Sequence, residues 1–259
     1  MRVLMIGDIV GKTGRRMVGQ HLPMLRKSEG IDFVVANGEN AAGGNGLTHD
    51  VLDELLSTGI DVITSGNHIF DKKEIFQFID DVPQLLRPIN LPAETPGHGY
   101  VVRSVAGVPV AVVNIAGRAF MPFQYDDPLR AIDQVLASLD GEVPVVLVDF
   151  HAETTSEKAA MGWYLDGRVA AVVGTHTHVQ TADERVLPGG TAFLTDLGMT
   201  GPEDSIIGVR TELVLQKMLS QRPVRFETAV GRGQFGALVI DISPATGRAE
   251  RVKRFLIRE

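Results

Sequence analysis

The chain repeatedly builds a short apolar run of strand length and ends it in a small cluster of polar side chains. Val3 to Ile6 stops at Gly7-Asp8, Ile31 to Ala36 at Asn37-Gly38-Glu39-Asn40, and Ile60 to Ser65 at Gly66-Asn67-His68. Val143 to Phe150 closes on Asp149-Phe150-His151, and Val169 to Val173 on Gly174-Thr175-His176-Thr177-His178. Continuous apolar runs of this length are the signature of parallel strands buried on both faces. The carboxyl ends of such strands gather residues from distant parts of a chain into one crevice. Carboxylate, amide and imidazole groups collected there, in a chain with no cysteine, are the donors that a pair of divalent metal ions requires.

Helical patterns lie between the runs. Val51, Leu52, Leu55 and Leu56 share one helical face, with Thr48 suited to the N-cap and Gly59 to the position past the end. Asp71 with Glu74 predicts a capped helix through Ile75, Phe76 and Ile79, and Asp127-Pro128 another start. Thr154 with Glu157 offers a further capping box. From Leu85 to Gly117 the pattern changes to a proline-marked loop and a strand pair, Gly99 to Val105 and Val108 to Ile115, turned at Ala106-Gly107. The tail predicts a strand near Thr191–Thr195, a helix over Thr211–Ser220, and strands over Val224–Val230, Gln234–Ile242 and Arg248–Ile257. This order predicts an α/β fold of two mixed sheets packed face to face with helices outside. With no repeat, low-complexity stretch or linker, a single domain over 1–259 is expected.

Composition narrows the function. Twenty-five basic against 32 acidic residues leave a formal net charge of −7, which disfavours long nucleic acid, whose non-specific binding depends on neutralising many phosphates. No apolar run approaches the roughly 18–20 residues needed to cross a bilayer, and the opening run meets Gly7 and Asp8 too early for a signal-peptide core. Without cysteine there is neither a disulfide framework nor a thiolate site, and the expected location is cytoplasmic. A P-loop is suggested by Gly11-Lys12-Thr13 but fails on spacing, since its first glycine would have to stand at Ile6.

Taken singly, each polar residue has a structural explanation: Asp8 and Asn67 as turn residues, Glu39-Asn40 as a polar loop, Asp149 and His151 as a hydrogen-bonded pair on one strand face. His176 and His178 are harder to dismiss, because two residues apart in extended chain both imidazoles face the same side, and Gly174 permits close backbone approach. His21, His49 and His98 fall in a helix, a first helical turn and a proline-rich loop, and carry no assigned chemistry.

Together the elements resemble the calcineurin-like metallophosphoesterase superfamily, and most closely its YmdB-like bacterial branch. The matches are Gly7 to Gly11, Asn37 to Ala42, Gly66-Asn67-His68, Asp149 to Glu153 and Val173 to Asp183. The resemblance implies a four-layer α/β/β/α metallophosphoesterase sandwich. It also assigns Asp8, Asn40 and His178 to one metal, Asn67, His151 and His176 to a second, and Glu39 between them. Three departures from the broad superfamily stand out. Val10 replaces the histidine of Asp-x-His, a place Asn40 fills in the YmdB-like branch; the bridging acid is Glu39 rather than Asp; and Ile69 replaces the acid that usually follows the Gly-Asn-His histidine. Orientation of His68 must then come from elsewhere, with Asp71 as a candidate.

The resemblance implies a metal-dependent phosphodiesterase, with 2',3'-cyclic nucleotides as the expected substrates, a bridging hydroxide as nucleophile, and His68 as catalytic proton donor. Three imidazoles among mixed N/O donors favour Mn(II), Fe(II) or Zn(II) over Mg(II) or Ca(II), and the resemblance, to a family that often holds iron or manganese, implies Fe(II) or Mn(II) among these. Expected partners are a small phosphodiester or cyclic nucleotide and further copies of the chain in a homo-oligomer, with no membrane. The competing readings are a nucleotide-sensing module with an intact metal pair and negligible turnover, and a phosphomonoesterase.

Overall fold

Along the first strand, β1 (Arg2–Ile6), Val3 and Met5 belong to one buried cluster and Leu4 and Ile6 to another. Successive side chains leave opposite faces of a strand, so the sheet must be covered on both sides. The computed structural model describes residues 1–259. After β1 come β2 (Asp8–Ile9), α1 (Gly11–Glu29), β3 (Phe33–Asn37), α2 (His49–Ser57), β4 (Val62–Thr64), β5 (Tyr100–Val105), β6 (Val108–Ala116) and α3 (Pro128–Ser138). The second half holds β7 (Val145–His151), α4 (Thr155–Tyr164), β8 (Ala171–Thr175), β9 (Arg185–Val186), β10 (Ala192–Leu194), β11 (Met199–Pro202), α5 (Thr211–Ser220), β12 (Gly233–Ile242) and β13 (Ala249–Arg258).

Two mixed sheets result. The first runs β2-β11-β12-β1-β3-β4, with β13 also paired to β12; the second runs β5-β6-β7-β8-β10-β9. β1, β3 and β4 are mutually parallel, as are β6, β7, β8 and β10. One apolar cluster joins Val3, Met5, Phe33 and Val35 of the first sheet to Val110, Val112, Leu147 and Val173 of the second. A second cluster joins Leu4, Ile6 and Val34 to Met17, Val18 and Leu22 of α1 and Leu52 and Leu55 of α2. A third joins Val113, Val146 and Val148 to Ile132 and Val135 of α3 and Met161 of α4. No helix is long and apolar enough to cross a membrane.

The caps act largely as expected. Thr48 accepts from the Val51 N–H, Asp127 from Leu129 and Arg130, and Thr154 from Glu157. Three expectations fail. Asp71 caps no helix: a single 3-10 turn, Lys73–Gln77, follows without side-chain capping, and the Glu74 carboxylate accepts from the His49 N–H instead. Val224–Val230 forms no strand, because its polar groups go to neighbouring loops: Ala229 N donates to Gly208 O, and Thr228 Oγ1 to Gly43 O. The third concerns the two histidines after β8. They are not extended, since His176 has φ 93° and His178 φ 65°, a conformation L-residues rarely adopt outside turns. Gly174 does allow close approach, as a Cβ there would lie 1.8 Å from Thr195 O.

Candidate metal centre

Each parallel strand delivers its polar cluster to the same edge of the molecule. Asp8 follows β1, Glu39 and Asn40 follow β3, Asn67 and His68 follow β4, His151 ends β7, and His176 and His178 follow β8. All of these except His68, His176 and His178 are buried. The His151 Nε2 has three neighbours at 3.1 Å: Glu39 Oε1, Asn67 Oδ1 and His176 Nδ1. One ring N–H cannot serve all three. Donors held around one ion at about 2.0–2.2 Å lie roughly 3 Å apart, so this spacing is that of a coordination polyhedron.

A second group adjoins it. Asn40 Nδ2 lies 3.1 Å from Glu39 Oε1 and 3.4 Å from His178 Nε2, and His178 Nε2 lies 3.8 Å from Asp8 Oδ1. Turning the Asn40 amide over presents its oxygen at the same place. Asp8 Oδ1 is buried and has no hydrogen-bond partner at all. A buried carboxylate oxygen left unpaired is costly and rare, and a cation is the partner it fits. Glu39 belongs to both groups: its Oε1 faces His151, while its Oε2 accepts from the His68 N–H at 3.0 Å.

Every ring is fixed from its far side, as metal-binding imidazoles usually are. Thr175 has one hydroxyl hydrogen, given to Asp149 Oδ1 at 2.7 Å, so it accepts from His151 Nδ1–H at 2.9 Å and leaves Nε2 facing the centre. His176 Nε2 donates to Glu153 at 3.0 Å, freeing Nδ1, and His178 Nδ1 donates to Ile207 O at 2.9 Å, freeing Nε2. His68 Nδ1 donates to Asp71 Oδ2 at 2.8 Å, and Asp71 also accepts from Asn45. Asp71 is therefore the orienting acid, three residues on from His68 rather than one.

Charge follows the same pattern. Burial raises the Asp8 carboxyl to about 6 against the pull of His178 and His151. Burial acts upward on Glu39 too, but the His151 charge, its hydrogen bond and His68 outweigh it and bring Glu39 to about 2. Burial would lower His151, yet Glu39, Asp8 and Asp149 raise it to about 9. Burial and the neighbouring His151 hold His176 down, at about 3. The proton on His151 balances the carboxylates, and a divalent cation bound there must displace it.

Several contributors were not evident beforehand. Asn37 and Thr64 donate to Asp149, at 3.2 and 2.5 Å; only the Asp149–His151 spacing hinted at this network. Thr154, Gln180 and Thr181, close to the cluster in sequence, serve backbone and caps. His21, His49 and His98 lie elsewhere; His98 contacts Asp80 O and His49 contacts Asp53. Lys12 is exposed in the first turn of α1.

Comparison with known proteins places the chain in a family. The chain is 50% identical over 259 residues to a Bacillus subtilis (strain 168) protein named 2',3'-cyclic-nucleotide 2'-phosphodiesterase, covering 100% of this chain and 98% of that one. A crystal structure of a hypothetical protein from Thermus thermophilus superposes with a TM-score of 0.94 at 43% identity, with both chains fully covered. Haemophilus influenzae NAD nucleotidase shares the fold alone, with a TM-score of 0.62 at 13% identity over 100% of this chain and 56% of its own. Residues 4–255 match the YmdB-like protein family. With the strand-end cluster and its spacing in place, the chain belongs to the YmdB-like family.

Proposed function

We propose that this protein is a metal-dependent phosphodiesterase acting on small diesters, foremost 2',3'-cyclic nucleotides. The observation that carries the reading is the meeting of Glu39, Asn67, His151 and His176 at 3.1 Å spacings beside the unpartnered Asp8 oxygen. The activity named for the Bacillus subtilis relative supplies the substrate class. Asp8, Asn40 and His178 would hold one divalent ion, Asn67, His151 and His176 the other, with Glu39 shared; these N/O donors suit Fe(II), Mn(II) or Zn(II), and the family resemblance favours the first two. When bound, such a pair supplies positive charge for the phosphate and acidifies water into a nucleophile at neutral pH.

The chain's own groups do the rest. Asp8 and Glu39 set the charge of the centre, and the buried His151 ring excludes bulk water from its floor. His68 is only partly buried and stands at the mouth. Its Nδ1–H is held by Asp71, which fixes the ring and leaves Nε2 as the nitrogen that can hand a proton to substrate. That proton goes to the 2'-oxygen as its bond to phosphorus breaks and the water oxygen bonds to phosphorus, leaving a 3'-monophosphate, while the proton the water loses passes to solvent, from which His68 is recharged.

Protein purified without added metal, assayed for metal and then against bis-p-nitrophenyl phosphate, cyclic nucleotides and phosphomonoesters, tests the reading. Multiple turnover of diesters is expected. Cleavage of monoesters with diesters untouched overturns it in favour of a phosphomonoesterase, and metal binding without turnover in favour of a sensing module. We further propose a four-layer α/β/β/α arrangement in one domain over 1–259, supported by the three apolar clusters around the two sheets. A cytoplasmic homo-oligomer completes the proposal, checked by cell fractionation and sedimentation velocity.

A further inference from the structure

Lys158 lies in α4, yet its side chain is 2% exposed. Lysine is almost never buried without a partner. Its Nζ sits 2.6 Å from Asp196 Oδ2 and 3.2 Å from Thr177 Oγ1. Asp196, buried just past β10, accepts from Thr177 twice, from the hydroxyl at 2.5 Å and the backbone N–H at 3.2 Å. Its other oxygen accepts from Gly198 N at 2.7 Å, and Gly198 O in turn accepts from Asp8 N at 3.0 Å. A buried ion pair is weak evidence for stability, because its desolvation offsets its attraction, and apolar replacements often serve as well. What distinguishes this pair is where its remaining hydrogen bonds go: to the residue between two candidate ligands and to the strand end carrying a third.

Thr177 separates His176 and His178, both held at positive φ. The two rings approach the centre through different nitrogens, His176 through Nδ1 and His178 through Nε2. The turned backbone sets where each ring enters, while Glu153 and Ile207 O hold its far nitrogen, and a turn of L-residues persists only when its surroundings enforce it. We propose that Lys158 and Asp196 are positioning residues for the metal centre, clamping Thr177 so that His176 and His178 keep these opposed presentations. The inference rests on the metal-centre reading above and concerns residues that touch neither metal nor substrate.

Thr177→Val removes the hydroxyl at nearly constant shape, and Thr177→Ser restores it. Lys158→Met with Asp196→Asn removes both charges together and leaves no lone buried ion. Mn(II) affinity would be measured by chelator competition on folded, metal-stripped protein, with histidine ring 15N shifts recorded on the same samples. The expected result is roughly 10- to 100-fold weaker Mn(II) binding in the valine variant and the double variant, the range seen when groups supporting metal ligands are lost. The serine variant should stay within about threefold of the parent, and ring shifts of His176 and His178 should move only in the two weakened proteins. If parent, valine and double variants bind Mn(II) alike, the clamp is wrong while the metal centre stands. If the parent itself binds no divalent ion, the metal-centre reading fails first. If the double variant does not fold, the valine and serine pair decides the question.

Discussion

Replacing Thr175 with valine removes one oxygen and almost no volume, yet that oxygen joins two buried ionisable groups. Thr175 donates to Asp149 Oδ1 at 2.7 Å and accepts from His151 Nδ1–H at 2.9 Å. In the valine variant both lose their partner. Asp149 Oδ2 keeps Thr64 and Asn37, so the carboxylate is only partly deprived, whereas His151 Nδ1–H retains no strong acceptor. An unmade hydrogen bond on a buried group costs about 1–3 kcal/mol, so two broken contacts predict a loss of about 2–6 kcal/mol from a domain stability of order 5–15 kcal/mol. The second consequence is local to metal binding. With no acceptor behind it, the His151 ring is free to carry its proton on Nε2, the nitrogen that faces Glu39. Loss of such support typically weakens metal affinity about 10- to 100-fold, or roughly 1.4–2.7 kcal/mol. Urea unfolding of the stripped protein measures the first effect and chelator-competed Mn(II) titration the second. A variant that loses stability but binds Mn(II) within about twofold of the parent would show that Thr175 is a core residue only, and would refute the tautomer argument.

His68→Ala should retain metal and lose about 10²- to 10⁴-fold in kcat, whereas Glu39→Ala should lose metal as well; equal metal loss in both would place His68 among the ligands. Metal uptake should release protons, because ligation needs Asp8 ionised and His151 neutral, and both are raised in the fold, to about 6 and about 9. Below those values a proton must leave with each ion bound, so affinity should climb from pH 5 toward pH 9; calorimetry in buffers of different ionisation enthalpy that finds no proton release would contradict this. Gly66→Ala should abolish metal binding, because the added Cβ would lie 2.1 Å from His151 Nε2; an alanine variant with normal metal content would mean that the ring is not held where the structure places it.

Much of this was readable from residue pattern, for identifiable reasons. A strand buried on both faces has to be apolar throughout, so β1, β3, β7 and β8 announce themselves, and their polar ends stand out by contrast. Asp127-Pro128 marks the start of α3 because a capping side chain and a fixed φ act locally. What resisted reading depended on distant parts of the chain. Asp71 looks like a helix cap from its neighbours, but His68 and Asn45 engage it instead. The His-Thr-His element reads as extended because Asp196, which accepts twice from Thr177, lies 19 residues further on. Nothing in Thr155-Ser156-Glu157-Lys158 separates a buried lysine from a solvated one, because its partner lies 38 residues further on. Val224–Val230 has strand-like composition, but the loops that claim its backbone groups form only in the folded chain.

Anomalous diffraction at the manganese edge, from crystals grown with Mn(II), tests the central claim most directly. Two peaks should appear about 3.5–4 Å apart, one bounded by Asp8, Asn40 and His178, the other by Asn67, His151 and His176, with Glu39 touching both. A single peak, or peaks lying away from Glu39, would contradict a dinuclear centre at these strand ends.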